Sequence, residues 1–111
     1  MKMITAMIHP FLLNKVTSAL EGIADFPGMT VTEARGFGHR RSIREQHSLH
    51  LDEFSQKIRI EIVTPDRLAQ QIVAALVRAA RTGNSGDGKV FVWPVESAVR
   101  IQTGETDDAA L

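Results

Sequence analysis

Lys57-Ile58-Arg59-Ile60-Glu61-Ile62-Val63-Thr64-Pro65 is the stretch that decides the fold. Ile58, Ile60 and Ile62 alternate with Lys57, Arg59 and Glu61, so residues 57–63 have the two-residue period of a half-buried strand. Thr64-Pro65 follows at once, a threonine suited to cap a helix and a proline suited to its first turn. Leu68, Ile72, Leu76 and Ala79 or Ala80 then recur at helical spacing, which predicts a helix ending near Thr82-Gly83.

The N-terminal half repeats this pattern. Ile4, Ala6 and Ile8 alternate with Met3, Thr5 and Met7, so residues 3–9 read as a strand. Pro10 permits a helix start, and Leu13, Val16, Leu20 and Ile23 give residues 11–24 one apolar stripe. Phe26-Pro27-Gly28 is turn chemistry, and residues 29–37 form a second strand that ends at Gly36-Phe37-Gly38. Beyond the second helix, residues 83–88 make a polar glycine-rich loop and Val90-Phe91-Val92-Trp93 a fourth strand. Val99 and Ile101 alternate with Arg100 and Gln102, which predicts a short last strand within the C-terminal tail, 97–111, whose end is polar. The order β-α-β-β-α-β defines an α+β, ferredoxin-like domain over residues 1–111. Its unusual feature is the connection between the second and third strands. Hairpins close in a few residues, yet residues 39–56 intervene here, with no glycine or proline among them. A long insert in so small a domain carries function.

Composition narrows the function. Lys+Arg and Asp+Glu both number 13, a neutral balance that weighs against a general nucleic-acid binder. With no cysteine, the chain has no disulfide, thiolate metal site or thiol nucleophile. No apolar run is long enough to span a bilayer, and Pro10 with the polar residues after Leu13 spoils a signal sequence, so the chain reads as cytoplasmic. Hydrophobic residues make up 43% of it, enough for a core, and a small sheet with one bare face favours assembly.

Thr82-Gly83-Asn84-Ser85-Gly86-Asp87-Gly88-Lys89 carries the clearest binding signal. Its glycines let backbone N–H groups approach an anion, and Lys89 adds a cation, the combination a polyphosphate needs. Alone it is equally a helix-to-strand turn. It is not a Walker loop, because Val90 stands where Ser or Thr would follow the lysine. No Ser-His-acid set or carboxylate pair points to catalysis, so the chain reads as a non-enzyme.

These motifs resemble the PII nitrogen-regulatory family. The likeness rests on Thr82 to Val95, on Gly28-Met29-Thr30-Val31-Thr32-Glu33 with Gly36-Phe37-Gly38, on Ile60-Glu61-Ile62-Val63, and on Arg100-Ile101-Gln102-Thr103-Gly104-Glu105. The resemblance implies a homotrimer that binds ATP or ADP in clefts between subunits and controls a target protein (transporter, enzyme or regulator) through the 39–56 loop. It implies Thr30, Gly36, Phe37 and Gly38 on one side of the cleft, Val63 near the adenine, and Gly86, Asp87, Gly88 and Lys89 around the phosphates. Lys57 and Arg100 would add charge there, with Gln102 where the family carries a second arginine. Arg40 replaces a glutamine that helps to bind magnesium and 2-oxoglutarate, and a cation there opposes a magnesium ion. The tyrosine that many bacterial members uridylylate has no counterpart, since the chain contains none. His9 stands where typical members carry a lysine and reads as a surface or cap residue, with a ligand role as the lesser alternative, while Trp93 reads as core or interface.

The long loop allows two local readings. Ser42 and Glu45 have capping-box spacing, which would put His47 and His50 on one helical face, while residues 48–51 also alternate like a strand. Arg40, Arg41 and Arg44, with Leu49, Leu51 and Phe54, supply charge and apolar surface for partner docking. His39, His47 and His50 offer the alternative of a metal-responsive regulator.

Overall fold

The computed structural model describes residues 1–38 and 54–111. Four strands form one antiparallel sheet: β1 (Lys2–Ile8), β2 (Thr30–Gly36), β3 (Ser55–Thr64) and β4 (Val90–Pro94), in the spatial order β2-β3-β1-β4. Two helices, α1 (Leu13–Glu21) and α2 (Asp66–Ala80), provide the connections from β1 to β2 and from β3 to β4. β3 lies between β1 and β2, which makes this the split βαβ arrangement of the ferredoxin-like fold.

The alternation in β1 and β3 directs one face of each strand inward. Ile4 pairs with Ile62, Ala6 with Ile60 and Ile8 with Ile58, and all six are buried. Directly paired residues share a sheet face, so this register builds a continuous apolar strip. Val16 and Leu20 from α1, and Leu68, Ile72 and Leu76 from α2, close over it. Ala79 and Ala80 complete the stripe on α2, their small side chains admitting close contact.

Three local expectations change. Pro10 begins a 3-10 turn (Pro10–Leu12) ahead of α1, so the α-helix itself starts at Leu13. Thr64 does not cap α2: it is fully buried at the end of β3, its hydroxyl donates to Pro65 O at 3.1 Å, and the residue at the cap is Pro65. Residues 99–101 do not form a strand. Val99 makes an isolated bridge to Thr106, and Arg100 N donates to Glu105 O while Gly104 N donates to Arg100 O, both at 2.8 Å. Gly104, at φ +75°, closes this tight turn, which satisfies locally the backbone groups a strand would have offered to a neighbour.

The sheet's other face is bare in the single chain. Met3 pairs with Trp93 and Thr5 with Phe91, so these four share the face away from the helices with Met7, Val63, Arg59 and Glu61. Phe91 is 49% and Trp93 42% exposed, so Trp93 is not a core residue of the isolated chain.

Candidate functional site: an anion-receptive loop at one end of the sheet

α2 ends at Ala80, and Arg81 leaves it in an extended conformation, its N–H donating to Val77 O. The loop that follows is organised by one carboxylate. Asp87 Oδ2 accepts from the backbone N–H of Thr82 at 2.8 Å and of Gly83 at 2.9 Å, and Oδ1 accepts from the Thr82 hydroxyl. The same Thr82 oxygen accepts from Asn84 N at 3.2 Å. The Thr82 hydroxyl is the largest influence on Asp87, with smaller contributions from the two N–H groups and from His9. Together they hold its carboxyl down to about 2. The negative charge is thus turned toward donors within the loop.

Gly86 and Gly88 both take positive φ, +92° and +101°. At Gly88 even space is lacking: a Cβ would lie 1.8 Å from Met7 O. The loop is seated against the end of β1 here, and Met7 N donates to Lys89 O at 3.1 Å. The N–H of Gly88 has no acceptor among the described residues, and the Lys89 ammonium has no ion pair there. Backbone turned by left-handed glycines, on a loop that carries a lysine, is suited to an anion.

Two distant residues join the loop. Lys57, on β3, donates from Nζ to Gly86 O. Gly36 lies beside it, since a Cβ there would be in ordinary contact with Lys57 Cγ at 3.5 Å. His9, just past β1, places Nε2 3.1 Å from Asp87 Oδ1 and stacks its ring on Phe11, with centroids 5.1 Å apart. Sequence reasoning gave His9 a surface or cap role and missed this contact, which spans 78 residues. No local pattern signals it.

Gly86, Asp87, Gly88, Lys89 and Lys57 therefore come together, with Gly36 beside Lys57. Phe37 leads on from Gly36 and meets Phe54, the ring centroids 5.5 Å apart at 48°, so Phe54 pairs with an aromatic at the foot of the long connection. Gly38 follows Phe37 at the edge of the described residues. Thr30 and Val63 lie elsewhere. Thr30 is six residues from Gly36 along β2, and Val63 six from Lys57 along β3, so each is about 20 Å from this cluster. Arg100 is engaged by its own tail: Nη2 donates to Leu111 O at 2.9 Å and Nε lies 3.9 Å from Glu105. Gln102 is exposed on the same turn, and no bond joins either residue to the loop. Arg40, Arg41, Arg44, Leu49 and Leu51, and the histidines His39, His47 and His50, lie outside the described residues. Among the described residues no three His, Cys, Asp or Glu side chains gather as a metal site.

The family model for nitrogen regulatory protein P-II matches residues 1–105, which takes in the sheet, both helices, the loop and the Arg100–Glu105 turn. This chain belongs to the P-II family. P-II relatives match it end to end. It is 48% identical to the nitrogen regulatory protein P-II of Synechocystis sp. and 43% identical to that of Haemophilus influenzae, over the full length of both chains in each case. It is 44% identical to the nitrogen regulatory protein P-II 1 of Escherichia coli, again over both full lengths. In this P-II chain no described helix is long and apolar enough to cross a membrane.

Proposed function

We propose that this P-II chain is a non-enzymatic signal-transduction regulator of the cytoplasm that reads ATP against ADP and controls a target protein through residues 39–56. The observation that carries the reading is the loop at Gly86–Lys89, with two left-handed glycines, Lys89 on the loop itself and Lys57 bonded to Gly86 O. Its lysines and glycine backbone fit an anionic polyphosphate, and the Asp87 carboxylate is turned onto the N–H groups of Thr82 and Gly83. Lys57 and Val63 lie about 20 Å apart along β3, so within one chain the phosphate loop and the expected base contact stand at opposite ends of the strand.

The assembly proposed is a homotrimer with the nucleotide in clefts between subunits. Its support is the bare sheet face with Trp93 and Phe91, which needs a cover, and the separation of Thr30 and Arg100 from the loop within one chain. A neighbouring subunit would bring these two to the site, Arg100 adding a phosphate contact. Magnesium, when present, would ride on the nucleotide phosphates. Arg40 disfavours the magnesium-linked 2-oxoglutarate effect.

Regulation then follows from differential affinity. ATP and ADP differ by one phosphate at the foot of the 39–56 connection, where Gly36, Phe37 and Lys57 meet, so each would stabilise a different state of that segment. Isothermal titration with ATP and ADP, each with and without magnesium and 2-oxoglutarate, tests this reading. Micromolar nucleotide binding that Lys89→Ala abolishes supports it, and heat-silent titrations with both nucleotides would sink it.

A further inference from the structure

We infer that His9 is a proton-linked member of the polyphosphate site, making nucleotide affinity depend on pH near neutrality. The inference rests on the nucleotide reading above and adds a residue and a second input to it. His9 lies at the end of β1 with its Nε2 on Asp87 Oδ1 at 3.1 Å, and its ring edge lies at the loop: a Cβ on Gly86 would be 3.9 Å from His9 Cε1. Its side chain is 22% exposed, so water reaches it.

The contact fixes the tautomer. An ionised aspartate only accepts, so Nε2 must carry hydrogen whether the ring is neutral or charged. The second proton enters and leaves at Nδ1, which has no hydrogen-bond partner among the described residues. Protonation therefore changes the charge at the loop without breaking the bond that holds it. The other charged groups there are Asp87 itself, Lys57 from β3 on Gly86 O, and Lys89 on the same loop; Phe11 covers the ring's face and is uncharged. With neutral His9 these sum to one positive charge, and with imidazolium to two. A polyphosphate binds the second state more tightly, and by reciprocity its binding draws a proton onto His9. Typical side-chain bases at neutral pH do not titrate in this range, whereas histidine does.

The test uses the full-length protein and magnesium-free ATP, with affinities measured by calorimetry at about pH 6 and about pH 8, on either side of the ordinary histidine range. His9→Gln keeps a donor for Asp87 and cannot titrate, while His9→Lys keeps a positive charge at both pH values. Protonation of ATP and of His39, His47 and His50 is common to all three proteins and cancels in their affinity ratios. Wild type should gain about three- to sevenfold over His9→Gln on going from the higher pH to the lower, the effect of one unit charge several ångströms away in a half-solvated site. His9→Lys should match wild type at the lower pH and bind about three- to sevenfold more tightly than it at the higher. In parallel, the His9 NMR titration midpoint should rise when ATP is added. A wild-type to His9→Gln ratio that is equal at both pH values, or a His9 midpoint unmoved by ATP, overturns the inference. If no protein binds ATP at either pH, the nucleotide reading itself falls and takes this one with it.

Discussion

Gly88→Ala compared with Gly86→Ala measures how firmly the loop is seated on β1. Both glycines have positive φ, so a Cβ at either costs about 1–2 kcal/mol in backbone strain. They differ in space. At Gly86 the nearest atoms to a Cβ would be 3.9 and 4.0 Å away, in the side chains of His9 and Lys57, so strain is the whole cost. At Gly88 a Cβ meets backbone, 1.8 Å from Met7 O and 2.9 Å from Met7 C, so the loop and β1 must separate by roughly 1.5 Å to reach ordinary contact. That separation also breaks the bond from Met7 N to Lys89 O, worth about 1 kcal/mol. With strain and packing loss the total is about 3 kcal/mol or more, against 1–2 for Gly86→Ala. Denaturant unfolding at one fixed protein concentration reads the difference, and thermal unfolding should place Gly88→Ala at least about 10 °C below wild type. Nucleotide binding should be lost with it, since Lys89 moves with the strand contact. If the two variants unfold within about 0.5 kcal/mol of each other, β1 does not fix the loop as described.

Lys57→Met removes the Nζ tether to Gly86 O and one cation. ATP affinity should fall about tenfold in calorimetry with little change in unfolding, and an unchanged affinity would place Lys57 outside the site. The Asp87 carboxyl, observed by carbon NMR, should titrate near 2, and Thr82→Val should move its midpoint upward. Because folding lowers this pKa, the stability it contributes is complete above the ordinary aspartate value near 3.8 and is lost as pH falls toward about 2; a wild-type midpoint near 4 would refute the hydrogen-bond account. Trp93→Glu puts a charge on the bare face without touching the core. Sedimentation should show a trimeric wild type and a smaller folded species for the variant, and an unaltered trimer would move the interface elsewhere. Ile60→Ala empties the centre of the sheet, where the side chain is fully buried, and should cost about 3 kcal/mol in denaturant unfolding; a cost below about 1 kcal/mol would contradict that burial.

Local periodicity was enough for most of the architecture. Ile4, Ala6 and Ile8, and Ile58, Ile60 and Ile62, are separated by two residues because a pleated strand turns alternate side chains to opposite faces, and all six are core. Val16, Leu20, Leu68, Ile72 and Leu76 likewise mark the buried stripes of the two helices. The loop's conformation was also legible in part, since glycine admits the positive φ found at Gly86 and Gly88. Where the local pattern had two solutions it misled. Val99 and Ile101 alternate like a strand, yet Gly104 lets the chain close on itself through Arg100 and Glu105, and no sheet edge is needed. Thr64 looks like a cap, but its place on the inward face of β3 buries it first.

Tertiary structure decided what the site contains. His9 and Lys57 reach the loop from 78 and 29 residues away, because β1 and β3 are adjacent and antiparallel, β1 ending and β3 beginning beside it. Gly88 could be read as turn chemistry from its type, but its irreplaceability comes from Met7 O, an atom supplied by the opposite end of the chain. Sequence by itself determines which face each residue presents, because that depends on the period of its own element. Which faces meet depends on strand order and register, and these are set by long-range packing of the whole sheet.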